Sequence, residues 1–421
     1  MRFGLNHTPR HGWFHAWQDL DLADVADDMS AIASLGVDHV RIFPLWPLIH
    51  PNRGLIRERG LADVVDVARV AHEHGLDVVV DALQGHLSSF DFLPAWLGTW
   101  HRRNMFTDPE VVSSTAEYVR RLTAAVAREP NLMGITLGNE INQFAAAPHP
   151  DPHPVDAAGG TAWLETMLGA ARAETDALVT HSMYDAGWYD STQPFGPAHA
   201  AELGDATITH SWVFNGAAQL AGGLAEESVS HAEYLTRLAQ AWHPPGSARP
   251  IWLQEAGAPT TVMDPAEAPE FIRRSMRRVA QVPHLLGITW WCSHDVSRDL
   301  LDFPEVEHDL GLIDVSGRIK PTGEAFAETV AELRAEPPAA TAAQAPAVII
   351  DDLGRDPRDE LGPGGAVHRA WLDARDGHAG TALTLRSQSQ DQDPTRDLTR
   401  GSLSAHHLSD LPTPAPTPQR S

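Results

Sequence analysis

The sequence has one cysteine and one lysine among 421 residues. A lone Cys292 leaves no intrachain disulfide and no cysteine-rich zinc site. Lys320 stands in Gly-Arg-Ile-Lys-Pro, far from any glycine-rich loop. Schiff-base chemistry and P-loop phosphate binding both need a lysine at a particular place, so both are set aside. Positive charge is scarce as well: Lys+Arg 31 against Asp+Glu 56 gives a formal net charge of -25. With no basic stripe to neutralise phosphates, nucleic acid is excluded as a partner, and an anionic membrane surface with it. No uncharged apolar run approaches the roughly 20 residues that span a bilayer. The opening Met-Arg-Phe-Gly-Leu-Asn-His lacks the apolar stretch of a secretory signal. A cytoplasmic location is the expectation.

What the chain does have is enough apolar content, 43%, for a large buried core. Short β-rich runs at 2–6, 38–43, 76–82, 132–138, 177–182, 205–211, 249–254 and 285–292 alternate with amphipathic stretches. Residues 22–35 put Leu22, Val25, Met29 and Ile32 on one face, with Asp21 as N-cap and Gly36 as the stop. Further helices are expected at 61–74, 109–128, 158–174, 229–241, 267–281 and 321–335. Doubly wound sheets alternate in the same way, but eight strands, most followed by a helix, predict an α/β fold of the (β/α)8 TIM-barrel type over residues 1–336. The fifth unit is the weakest, because 183–204 is rich in Gly, Pro and aromatics and carries only a short helix pattern. Residues 337–421 read as a Pro/Ala linker, a small βαβ appendage (strand 348–351, helix 366–374, strand 381–385) and, from Ser387, a disordered tail. That extension holds 11 acids and 8 arginines, so the acidity belongs to the barrel.

Barrel chemistry sits at the C-terminal ends of the strands. Strand 4 ends in Gly138-Asn139-Glu140, and strand 7 runs Ile251-Trp252-Leu253-Gln254-Glu255. Either glutamate alone is as readily an arginine partner or a helix-cap acceptor. Together they project from opposite sides of one barrel mouth, as glycosidic bond cleavage requires: one carboxylic acid protonates the leaving oxygen while the other attacks or activates water. Tryptophan is abundant, 13 against 4 tyrosines. Trp13, Trp17, Trp46, Trp96, Trp100, Trp188, Trp212, Trp290 and Trp291 all fall at or beyond predicted strand ends. Packing accounts for Trp252 and one of Trp290/Trp291, and the rest are read as a sugar-stacking cleft. Metal catalysis is set aside and no cofactor is expected. His181, His210 and Asp295 superficially resemble a metal-dependent amidohydrolase, but strand 1 has no His-x-His, and His72-Glu73-His74 lacks zinc-ligand spacing.

Asn139-Glu140 after strand 4 and Glu255 closing strand 7 resemble clan A of the retaining glycoside hydrolases, and more closely glycoside hydrolase family 5. Arg41 in Val-Arg-Ile, His210-Ser211-Trp212 and Trp291 are similar to that family's strand 2 arginine, strand 6 His-x-Tyr and strand 8 tryptophan, over roughly residues 1–335. Gly-Leu-Asn-His-Thr-Pro, Gly-Trp-Phe-His-Ala-Trp and Gln-Gly-His-Leu-Ser-Ser-Phe-Asp-Phe resemble its bacterial exo-β-mannosidase branch, subfamily 18. The resemblance implies Glu140 as general acid/base and Glu255 as nucleophile. Arg41, Trp46, His86, Asn139, His210, Trp212 and Trp291 are the expected sugar-binding residues, and a short oligosaccharide the expected partner. Glu140 should then have a raised pKa, and Glu255 should be held ionised by Arg41. Trp212 departs from the family's tyrosine, since an indole N–H donates but cannot accept. Asp81-Ala82-Leu83 stands where a strand 3 histidine is usual, with His86 as its substitute. Loops 44–60, 84–108 and 143–158 are expected to wall one end of the cleft, making the enzyme exo-acting. An endo-β-mannanase or β-glucanase, and a non-catalytic sugar-binding barrel, are the alternatives.

Overall fold

A computed structural model describes residues 1–338, 347–377 and 380–389. All eight expected strands form: β1 (Arg2–Asn6), β2 (His39–Ile42), β3 (Asp77–Asp81), β4 (Leu132–Leu137), β5 (Leu178–His181), β6 (Thr207–Ser211), β7 (Ile251–Ala256) and β8 (Leu285–Trp290). All ladders among them are parallel, and the strand order β5-β4-β3-β2-β1-β8-β7-β6 makes a (β/α)8 barrel closed except between β5 and β6. There the Asp205 carboxylate accepts from Val179 N–H at 2.8 Å, and Asp205 N–H donates to Val179 O at 2.9 Å, tying the strands at their base.

Inside the barrel, β strands carry short or polar residues that interlock. The His39 ring lies over β1 so closely that a Cβ on Gly4 would sit 2.2 Å from its Nε2. His39 and Trp252 both bond to Thr289 Oγ1, at 2.8 and 2.9 Å. Trp252 is therefore core, as expected. Around the sheet pack α1 (Leu22–Ser34), α2 (Glu58–Glu73), α3 (Pro109–Val126), α4 (Ala157–Arg172), α5 (Pro197–Glu202), α6 (His231–Ala241), α7 (Ala268–Val279) and α8 (Pro321–Ala335). The Asp21 carboxylate caps α1 by accepting from Ala23 N–H, and Val25, Met29 and Ile32 are buried against the sheet while Leu22 is exposed. The fifth helix is a single short turn-and-a-half, as the Gly/Pro content of its segment dictates.

Beyond the barrel, β9 (Val348–Ile350) and β10 (Leu383–Leu385) pair in parallel, with α9 (Ala366–Gly377) between them in the chain. This unit packs on the side where the fifth helix is short. Trp371 is fully buried against Tyr234 of α6 (ring centroids 5.2 Å apart), and Tyr234 O–H donates to Leu361 O at 2.6 Å. The Arg358 guanidinium donates to Ser191 O and Gln193 O, and the Asp359 carboxylate accepts from Ser191. The Ala-rich part of the expected linker (339–346) lies outside the described residues, as does the tail expected to be disordered from Ser387, except that its first residues are ordered: Arg386–Gln388 form a short helical turn and Ser387 N–H donates to Asp352 at 2.9 Å. Among the described residues no helix is long and apolar enough to cross a membrane.

Candidate active site

The end of β4 turns sharply. Gly138 has φ 80 and Glu140 φ 52, both left-handed, while Asn139 N–H is fixed to Leu83 O at 3.0 Å. A non-glycine residue held there costs roughly 1–3 kcal/mol, and the turn aims the Glu140 side chain across the mouth. From the opposite side β7 delivers Glu255. One oxygen of each carboxylate and a ring nitrogen of His210 lie within 4.8 Å of one another. His210 Nδ1–H donates to Glu140 Oε1 at 2.9 Å and reaches Glu255 Oε2 at 3.4 Å.

Arg41, fully buried on β2, organises this pair. Its Nη1 donates to Glu255 Oε1 at 2.8 Å and to Asn6 Oδ1 at 3.3 Å. Its Nη2 donates to Asn139 Oδ1 at 2.8 Å and to Asp81. Asn139 Nδ2 in turn donates to His86 O at 2.8 Å, and Gln143 Nε2 to Glu140 Oε2 at 2.7 Å. The guanidinium also lies over the Phe43 ring, 4.6 Å from its centroid, and Phe43 meets Trp291 edge-on at 5.7 Å. A cavity of about 300 Å³, at the small end of ligand sites, is lined by His86, Asn139, Glu140, Trp212, Glu255 and Trp291 among others.

The ionisation order differs from expectation. Burial pushes the Glu255 carboxyl up, and the neighbouring Glu140 charge adds to this against His210 and Arg41. Glu140 is held down instead: burial raises it, but its bonds to His210 and Gln143 and the charges of His210 and His86 together outweigh burial. The cause is the unequal distance of His210 from the two carboxyls. The pair titrates as a unit.

Other expectations are corrected as well. Trp46 does not reach the cavity. It is fully buried beneath the mouth, stacked near Tyr118 (6.2 Å, 21°) and edge-on to Trp96, with its indole N–H donating to His50. Of the nine tryptophans assigned to strand ends, only Trp212 and Trp291 line the cavity. Trp13, Trp46, Trp96, Trp188 and Trp290 are buried, and Trp100 is wholly exposed. Large aromatics here mostly fill space between loops. Trp212 stacks on Phe214 (4.9 Å, 24°) as a wall, and the donors to Glu255 are Arg41 and His210. His86 lines the cavity with its ring bonded to Asp91, which also binds His149; against burial, the Asp91, Glu140 and Glu307 carboxylates raise the His86 pKa. Loop 84–108 contributes Ser88 and Ser89, but loop 44–60 does not reach the cavity. Its place is taken by Pro304, Val306 and Glu307 after β8. Sequence reasoning missed Tyr184, Phe214 and Glu307, and gave Asp81 no role of its own. Asp81 was legible by the strand-end rule, whereas Glu307 lies in an irregular loop without periodic signal.

Glu140, His210 and Glu255 are also the described group with the spacing to hold an ion. Arg41 and His210 already donate into those carboxylates, so the oxygens a metal would use are engaged by N–H groups. A parallel barrel presenting two facing carboxyls from β4 and β7 defines a glycoside hydrolase of the barrel class. Solved structures agree. A Streptomyces cattleya subfamily-18 enzyme, in a Glu-to-Ala variant bound to Manβ1-4GlcNAc, is 48% identical, with a TM-score of 0.90 over 93% of this chain and 95% of its own. A Bifidobacterium longum subsp. longum enzyme of that subfamily, also in a Glu-to-Ala variant with Manβ1-4GlcNAc, is 42% identical, with a TM-score of 0.90 over 98% and 99%. The chain belongs to glycoside hydrolase family 5, subfamily 18. An exo-β-1,4-mannosidase from an Opitutaceae bacterium, 22% identical with a TM-score of 0.77 over 92% of this chain and 70% of its own, shares the fold. A scan against protein-family models and a search of curated proteins find no match.

Proposed function

We propose that the protein is a retaining exo-β-mannosidase that removes the terminal mannose from short β-mannosides such as Manβ1-4GlcNAc. The carrying observation is the facing pair Glu140 and Glu255, with one oxygen of each within 4.8 Å of the other, which favours the short separation of a retaining pair over the wider one that leaves room for a water. The mannoside assignment is supported by the two subfamily-18 relatives held with Manβ1-4GlcNAc. Glu255 attacks C-1 while Glu140 protonates the departing oxygen; the glycosyl-enzyme ester removes the Glu255 charge, and Glu140 then deprotonates water. Asn139, oriented by Arg41, is placed for the sugar 2-OH, and Trp291 floors the ring. A cytoplasmic address and a short oligosaccharide substrate fit the same reading.

Product stereochemistry tests it. Proton NMR of the first-released mannose from an aryl β-mannoside should show the β anomer, and an α product would refute double displacement. Glu140→Ala should retain glycosylation of substrates with a good leaving group, and added azide should then yield the β-mannosyl azide. Little or no release of 4-nitrophenol from 4-nitrophenyl β-mannoside beside efficient cleavage of polymeric mannan would favour the endo alternative.

The pH profile supplies another test. His210 lowers both Glu140 and Glu255. Activity requires Glu140 protonated and Glu255 ionised, and because the two titrate as a coupled pair the limbs report the pair's two apparent pKa values. In His210→Asn both carboxyl pKa values rise, and both limbs of the kcat/KM profile should move to higher pH. Limbs that stay put or move down would disprove this electrostatic role.

A further inference from the structure

One wall of the cavity comes from segments following β3 and β8. After β3, a two-stranded turn (His86–Leu87 with Phe90–Asp91) carries Ser88 and Ser89 at φ 51 and 75, a backbone region disfavoured for non-glycine residues. This strained turn puts both serines on the cavity surface. Ser88 Oγ–H donates to Glu307 Oε2 at 2.9 Å, bridging the β3 and β8 loops, and Trp291 bonds to the same carboxyl. Beneath this bridge Trp13, Phe90 and Phe303 form an aromatic triangle: Trp13–Phe90 5.2 Å, Trp13–Phe303 4.7 Å and Phe90–Phe303 4.8 Å between centroids. Gln143, Tyr184, Trp212 and Phe214, by contrast, come from segments after β4, β5 and β6, on the side of Glu140.

In a pyranose, C-1 and C-4 are at opposite ends of the ring. With C-1 held between Glu140 and Glu255 above Trp291, the leaving group points toward the Tyr184–Phe214 side and C-4 points toward the Ser88–Glu307 bridge. We propose that Glu307, latched by Ser88, reads the free hydroxyl at C-4 of the terminal sugar and makes the enzyme reject sugars substituted there. The inference rests on the β-mannosidase reading above and names the residue that would confine it to chain ends. A carboxyl group can accept from a sugar hydroxyl and, when protonated, donate to one. Burial and the nearby Glu255 charge push the Glu307 carboxyl up to about 7, so both forms exist near neutrality. An ether at C-4 removes the O–H donor, leaves the carboxylate without its partner and meets the braced wall; sites built around a hydroxyl discriminate strongly for this reason.

The experiment compares 4-nitrophenyl β-mannoside with its 4-O-methyl derivative. The wild type should favour the unsubstituted sugar by about 100-fold or more in kcat/KM. Glu307→Ala should lower kcat/KM for the unsubstituted sugar by roughly 10- to 100-fold and narrow the preference to under about 10-fold. Glu307→Gln, which keeps the wall's shape and a bond to Ser88, guards against misfolding and should keep most of the selectivity. Equal cleavage of both sugars by the wild type, or an unchanged preference in Glu307→Ala, would overturn the proposal. If the wild type cleaves another aryl β-glycoside and no mannoside, the mannosidase reading fails alone, and the same comparison with that sugar's 4-O-methyl derivative decides the role of Glu307.

Discussion

Glu255→Ala is expected to lower kcat on 4-nitrophenyl β-mannoside by roughly 10⁴-fold or more, about 5.5 kcal/mol of transition-state stabilisation. The covalent route is then closed, and Glu140 alone cannot supply the second displacement. The space left beneath C-1 admits azide, which attacks from the nucleophile's face, so the variant should recover activity and yield the α-mannosyl azide. The pair Glu140→Ala giving β and Glu255→Ala giving α assigns each role separately, and identical products from both would sink the assignment. Burial raises Glu255 and so marks its carboxylate as unfavourable to the folded state. Glu255→Gln, which keeps the shape without the charge, should therefore unfold at a Tm no lower than wild type. A large drop in Tm would instead mean that Glu255 is a structural partner of Arg41.

Arg41→Ala should be the most destabilising single change in the site, by about 3–5 kcal/mol, because it leaves buried carboxylates uncompensated. Arg41 has no exposed surface and donates to four acceptors, Asn6, Asp81, Asn139 and Glu255. Against a typical total stability of about 5–15 kcal/mol this is a large share. The loss also has a predictable pH dependence. Burial already raises Asp81 above its usual value despite Arg41, and without the guanidinium it rises further. A group raised on folding contributes stability below its unfolded pKa and loses it as pH rises through the folded value. The Arg41→Ala deficit in urea midpoint should thus be smallest in mild acid and grow toward alkaline pH. Arg41→Lys should recover little, since one ammonium cannot reproduce a fork that meets several acceptors. A deficit independent of pH would show that Asp81 is not the stranded group.

The barrel was readable from sequence because its strands are short apolar runs separated by amphipathic helices, a pattern set locally. The fifth unit marks the limit of that logic: Gly196-Pro197 and neighbouring aromatics allow only six helical residues, and nothing local announces that residues after 347 will cover the gap. The same divide runs through the site. Glu140, Glu255, Arg41 and Asn139 sit at strand ends, where topology fixes their meeting. Trp46 also sits at a strand end, but which way a tryptophan points depends on whether Trp96, His50 and Tyr118 come to enclose it. Glu307 meets Ser88 across 219 positions, a contact no pattern in either loop predicts. The ionisation order escaped for a similar reason, since it turns on half an ångström in the placement of His210 between two carboxyls.

The appendage on the β5–β6 side gives the molecule a timetable. Arg358 and Asp359 hold the Ser191–Gln193 segment that follows Tyr184 and Asp185, and Leu361 anchors α6. During synthesis, which proceeds from the N-terminus at about 5–20 residues per second, the eight strands are complete well before these contacts can form. The Tyr184 side of the mouth is therefore secured late, and a nascent barrel holds both glutamates before that side of the cavity is finished.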